Sequence, residues 1–157
     1  MAFVGLGANL DDPQRQVQQA FRELDAIAHT RVVKASSLYR SAPQGYAAQP
    51  EFVNAVAQIE TGLPAERLLA ELQSIEAAHG RRRSFANAPR TLDLDLLLFG
   101  DAVLDVPGLQ LPHPRMHERA FVLLPLVQIA GDVVIPGRGS AKAFLGRCGT
   151  QGVEQLD

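Results

Sequence analysis

The chain has 157 residues, 46% of them hydrophobic and 20% charged, with a net charge of −2 at pH 7. This is the size and balance of one domain with its own core, which excludes a disordered chain and needs no disulfide or zinc staple. The negative balance argues against a general nucleic-acid binder, and the longest apolar stretch, 120–130, is too short for a bilayer and carries Pro125 and Gln128.

The opening MAFVGLGANL lacks the basic region and cleavage site of a signal peptide, and the lone Cys148 has no partner for a disulfide. A cytoplasmic address follows as the default. Residues 2–7 read as a short buried strand ending in Gly5 and Gly7. Pro13 then opens a helix capped by Asp11 or Asp12, with Val17, Ala20, Phe21, Leu24, Ile27 and Ala28 on one face. A strand is expected at about 31–39, followed by a turn-rich loop from Arg40 to Pro50. From Phe52 to Glu60 the chain alternates: Val53, Ala55, Ala57 and Ile59 face one way, Phe52, Asn54, Val56, Gln58 and Glu60 the other.

A second helix starts near Pro64, buries Ala65, Leu68, Leu69, Leu72 and Ile75, and ends at Gly80. Residues 81–90 form an arginine-bearing loop. Leu92 to Phe99 is a strand, followed by strand-like pieces at 101–104 and 109–111. A helix over 117–130 is expected to kink or break near Pro125. A short strand at Val133–Ile135 and a weak helix at 140–147 finish the chain. The order strand, helix, strand, strand, helix, strand predicts an α+β fold: the ferredoxin-like split βαβ pattern, with a mainly antiparallel sheet and helices packed on it.

The chemistry concentrates in a few segments. In PRTLDLDLLLFG (89–100), alternation sends Leu92, Leu94, Leu96 and Leu98 to the core and points Asp93 and Asp95 together to the opposite face. They then stand roughly 6–7 Å apart along the strand. Like charges so close are costly unless a cation lies between them, and oxygen ligands without Cys or paired His suit magnesium. Arg90 beside such a pair makes sense for metal-bound phosphate. Phe52 and Asn54 share a strand face, a ring to stack and an amide to read the edge of a planar heterocycle. Gln73 and Glu76 share a helix face, ahead of Arg81 and Arg83. LPHPRMHERAF (111–121) supplies His113, Arg115, His117 and Arg119 without metal-ligand spacing. Of the 15 basic residues 13 are arginines, and six of these fall between Arg81 and Arg119, suited to bidentate phosphate contact. Each feature alone also fits a plain alternative: a solvated acidic face, a core phenylalanine, a surface charge run. No GK[ST] Walker motif occurs, and Leu10 spoils a GxGxxG reading of Gly5 and Gly7.

Taken in order, GLGANL (5–10), SSLYRSAP (36–43), QPEFVNAV (49–56), IEAAHGR (75–81), APRTLDLDLLLFG (88–100) and LPHPRMHERAFVLLPL (111–126) resemble the 6-hydroxymethyl-7,8-dihydropterin pyrophosphokinases of the folate pathway, over about residues 2–130. The resemblance implies a ferredoxin-like core extended into an α/β/α sandwich with helices on both faces. It implies ATP and a reduced pterin as substrates, with two magnesium ions on Asp93 and Asp95. Phe52 and Phe121 would sandwich the pterin, with Asn54, Ser41, Pro43 and Gln44 at its edge. Arg81, Arg90, His113 and Arg119 would contact ATP, with Gln73, Glu76, Arg83 and Leu96 on the nucleotide side; Arg81 and Arg90 would join the aspartates in catalysis. The segments near 43–49 and 80–90 correspond to lids. A monomer without nucleic-acid or membrane partners is expected. The chain departs from the family at Ala86, where relatives with the same Asn-Ala pair place an arginine, and at Pro114, where many carry tyrosine. A catalytically impaired relative and a ferredoxin-like RNA-binding module stand as the alternatives.

Overall fold

The sheet is built on a long central strand. In the computed structural model, which describes residues 1–42, 50–80 and 91–156, β4 (Phe52–Thr61) pairs on one side with β1 (Ala2–Ala8) and on the other with both β2 (Thr30–Ala35) and β3 (Tyr39–Ser41). β5 (Asp93–Phe99) extends the sheet beyond β1, and β10 (Glu154–Gln155) extends it beyond β3. Every pairing is antiparallel. Helices α1 (Pro13–Asp25) and α2 (Ala65–Ala78) supply the crossovers, which gives the ferredoxin-like split βαβ arrangement expected from the element order.

Strand alternation divides the core into two layers. Ala2, Val4, Leu6 and Ala8 with Val53, Ala55, Ala57 and Ile59 pack against Val17, Ala20 and Leu24 of α1 and Leu68 and Leu72 of α2. On the other face, Phe3, Val56, Leu97 and Leu98 pack against Val122, Leu123 and Leu126 of α3 (Ala120–Ile129) and Ala141 of α4 (Ala141–Cys148). The result is a helix–sheet–helix sandwich. Two small hairpins complete the fold, β6 (Leu104–Val106) with β7 (Leu109–Leu111) and β8 (Val134–Ile135) with β9 (Gly139–Ser140). No helix among the described residues is long and apolar enough to cross a membrane.

Several expectations need correction. The strand expected at 31–39 is two strands. Ser36 separates them by giving its N–H to the Val56 carbonyl (2.9 Å) and taking the Val56 N–H on its Oγ (2.9 Å), so a side chain replaces one rung of the ladder. The first helix stops at Asp25, which leaves Ile27 and Ala28 beyond it, and Asp12 at its N-cap is left-handed (φ 62°) with no side-chain capping bond. Instead Gln16 reaches back to the Asp11 carbonyl at 3.0 Å. The piece expected at 101–104 forms at Leu104–Val106. Pro125 lies inside an unbroken α3, whose Val122, Leu123 and Leu126 are buried; that packing outweighs one lost backbone bond. The break falls earlier, at Arg119, between a 3-10 turn (Met116–Glu118) and α3.

Leu98 also faces the other way from the expectation. Val4 pairs with Leu96 but Phe3 pairs with Leu98, so Leu97 is an extra residue, a β-bulge. The bulge reverses the alternation, and Leu97 and Leu98 both join the α3 layer while Leu92, Leu94 and Leu96 stay with α1 and α2.

Candidate active site

Among the described residues α3 and α4 cover one end of the other sheet face; beyond them it opens into a cleft of about 330 Å³. Strand register explains the opening. Gly7 of β1 sits between Asn54 on β4 and Asp93 on β5, and Gly5 sits between Val56 and Asp95. The two glycines put no side chain on this part of β1, so the cleft floor is bare backbone flanked by β4 on one side and two carboxylates on the other. Space at Gly7 is tight: a Cβ there would stand 3.3 Å from Asn54 Oδ1.

Around this floor the structure brings together Ser41, Phe52, Asn54, Asp93, Asp95, His113, Arg119 and Phe121. On the β4 side Asn54 is buried and donates from Nδ2 to Ser41 Oγ at 2.7 Å, which fixes the amide plane. The partly exposed rings of Phe52 and Phe121 add apolar wall. On the β5 side Asp93 and Asp95 alternate with buried Leu94 and Leu96 and stay partly exposed. Two hard carboxylates on one face suit magnesium, which takes its remaining ligands from phosphate oxygens and water. Among the described residues no cluster of three or more His, Cys, Asp or Glu stands ready to enclose a metal with protein ligands alone.

His113 and Arg119 face the aspartates. The Arg115 N–H donates to His113 Nδ1 at 3.2 Å, so the neutral ring carries its proton on Nε2. Burial and then the nearby Arg119 charge lower the His113 pKa to about 4, with Arg138 and Arg115 adding to the shift and Asp93 opposing it. The imidazole is thus a neutral donor at neutral pH. Burial, then Arg115, lowers the Arg119 pKa, while Asp95 and Asp93 raise it. The guanidinium lies 5.4 Å from the Phe121 centroid, and its buried Nε finds no partner among the described residues. A partly exposed guanidinium facing two acids, with one buried N–H left over, fits a site for an anion that arrives with metal.

Other sequence-predicted residues stand elsewhere. Glu76 is buried outside the cleft wall and accepts the Leu94 N–H at 2.7 Å, between the two aspartates on the open edge of β5. Gln73 is exposed on α2. Leu96 lines an adjoining groove that shares Asp95 and His113 with the cleft and is closed by the β6–β7 hairpin. His117 turns away, taking a bond from Arg138 at 3.0 Å and packing edge-on against Phe144. Pro43, Gln44, Arg81, Arg83 and Arg90 lie outside the described residues. Sequence reasoning missed the glycine floor, because spacing alone offers Gly5 and Gly7 only as a phosphate loop; their pairing with Asn54, Asp93 and Asp95 needs the register. It also missed Arg138, which donates to the His113 carbonyl at 2.7 Å.

Fold and cleft define a class: a ferredoxin-like α+β protein with paired carboxylates, a guanidinium, an imidazole and two aromatic rings around one opening on its sheet. The family model described as 7,8-dihydro-6-hydroxymethylpterin-pyrophosphokinase matches residues 3–131. A 2-amino-4-hydroxy-6-hydroxymethyldihydropteridine pyrophosphokinase of Pseudomonas aeruginosa is 46% identical over 98% of this chain and 95% of its own length. One from Haemophilus influenzae is 45% identical over 86% and 84%. The chain belongs to this pyrophosphokinase family. In structure it resembles the HPPK-DHPS of Plasmodium falciparum solved with pteroate, with a TM-score of 0.72 at 11% identity; the match covers 93% of this chain and 42% of that longer one and concerns the fold.

Proposed function

We propose that this chain transfers the pyrophosphoryl group of MgATP to the hydroxymethyl oxygen of 6-hydroxymethyl-7,8-dihydropterin, giving the pterin diphosphate and AMP in folate biosynthesis. Family membership supports the reaction and ATP as co-substrate. The observation that carries the assignment of residues is the two-sided cleft: a ring-and-amide wall on β4 faces a carboxylate wall on β5 across a bare glycine floor.

In this reading Phe52 and Phe121 stack the pterin while Asn54, held by Ser41, reads its edge, with Pro43 and Gln44 beside it. Asp93 and Asp95 would hold two magnesium ions, which would supply positive charge to offset that of the triphosphate. Arg119 and the Nε2–H of His113 meet charge on the transferred group, joined by Arg81 and Arg90. Leu96 and its groove receive the nucleoside end, with Gln73 and Arg83 on that side. Glu76 acts through β5, whose Leu94 N–H it holds. The hydroxymethyl oxygen attacks the β-phosphorus in line and AMP leaves, so most of the barrier reduction comes from positioning and electrostatics. The same reading takes the chain as one domain working as a cytoplasmic monomer.

The test is product analysis with purified protein. AMP and pterin diphosphate are expected only when ATP, the reduced pterin and magnesium are all present. AMP release that ignores the pterin, or no AMP at all, would contradict the proposal.

A further inference from the structure

The last turn of the chain reaches the site from behind. Gln151 takes the Ala120 N–H on its Oε1 at 3.1 Å and gives its Nε2–H to the Glu118 carbonyl at 3.1 Å. These backbone groups belong to the residues just before and just after Arg119, so one planar amide brackets that arginine on both sides. Arg119 needs such support. It is the N-cap of α3 in an extended conformation (φ −116°, ψ 111°), without a side-chain cap of its own. Ala120 N–H is therefore one of the unpaired donors that open any helix, and Gln151 supplies the missing partner.

The turn holding Gln151 is built against its local preference. Gln151 (φ 50°) and Gly152 (φ 76°) are both left-handed, and the Val153 N–H closes the turn on the Thr150 carbonyl at 2.8 Å. A turn with two positive φ values favours Asn or Asp at its first central position. Glutamine adds the extra methylene that reaches Glu118 and Ala120. Val153 packs with Tyr39 and Ala120, and β10 pairs with β3, which anchors the turn on the sheet. Sites that break a local rule are expected where function demands it.

We infer that Gln151 is a positioning residue for the reaction: its amide fixes the backbone at Arg119 so that the guanidinium stays aimed at the triphosphate. The inference rests on the reading of Arg119 as a phosphate contact. Gln151 is exposed, so changing it spares the core. Gln151→Asn is the discriminating variant, because it suits the turn better yet falls one methylene short of the bracket.

Gln151→Asn, Arg119→Ala and the double variant are compared by kcat/KM for ATP and by melting temperature. If turnover falls below detection, calorimetry with a nonhydrolysable ATP analogue and magnesium completes the cycle. Gln151→Asn is expected to melt no lower than wild type and to lose about tenfold in kcat/KM. In the Arg119→Ala background the same change is expected to cost less than about twofold. Wild-type kcat/KM for Gln151→Asn, or an equal loss in both backgrounds, would overturn the inference. Wild-type kcat/KM for Arg119→Ala would instead sink the reading of Arg119, and the inference with it.

Discussion

Asp93 and Asp95 sit on a strand whose other residues are leucine and one phenylalanine, and they remain partly exposed beside the only guanidinium that the described residues contribute to the cleft. A carboxylate so placed serves charge balance rather than packing, so removing it should spare the fold. Asp95→Ala is expected to remain folded by circular dichroism and to lose at least about 100-fold in turnover, the scale of a lost transition-state contact. Near-normal turnover would remove Asp95 from the machinery. His113 gives a second check. The unfolded chain takes up a proton near 6.5, whereas the folded site resists protonation until about pH 4. Between these values the unfolded state holds more protons, so this contribution to stability is complete above 6.5 and is lost as pH falls through 4. In the metal-free protein, NMR titration of His113 is expected to show a midpoint near 4 that moves upward in Arg119→Ala. A midpoint in the ordinary histidine range would contradict the described burial and charge.

At the scale of elements, the cleft depends on what β1 lacks. Asn54 is pinned to Ser41 at 2.7 Å, and a methyl group on Gly7 would press on its Oδ1 at 3.3 Å. Gly7→Ala should leave the melting temperature nearly unchanged, since alanine is otherwise the better strand residue, and should raise KM for the pterin by about tenfold. An unchanged KM would show that the floor plays no part in pterin binding. Local pattern alone makes β4 and the acidic pair on β5 legible, because a period of two states which residues share a face. It cannot state where β5 changes phase: the bulge at Leu97 is set by pairing with Phe3 and Val4, a long-range fact, and it carries Leu98 to the opposite layer from the one expected. The split at Ser36 has the same origin, a hydroxyl that bonds a neighbouring strand. Pro125 misleads because the local cost of proline says nothing of the burial of α3 around it.

For the whole molecule, the two layers divide the work. α1 and α2 fill one side of the sheet, while the cleft opens on the other. Leu24 is fully buried in the first layer, so Leu24→Ala should cost about 2–5 kcal/mol of stability and leave kcat intact below the lowered melting temperature. A specific fall in kcat in the still-folded protein would show that the layers are coupled. The fold class is legible from element order alone. The role of residues 131–156 is not, since their bonds to the site, Arg138 to His113 and Gln151 around Arg119, join positions far apart in the chain and leave no periodic trace.

Magnesium binding by the β5 aspartates, on behalf of the triphosphate, is tested by calorimetric titration of a nonhydrolysable ATP analogue, with and without magnesium, into wild type and into Asp93→Asn/Asp95→Asn. Binding is expected to be tight and magnesium-dependent in wild type, and to weaken by at least about 100-fold in the double variant with magnesium present. Equal, magnesium-dependent affinity in both proteins would contradict it.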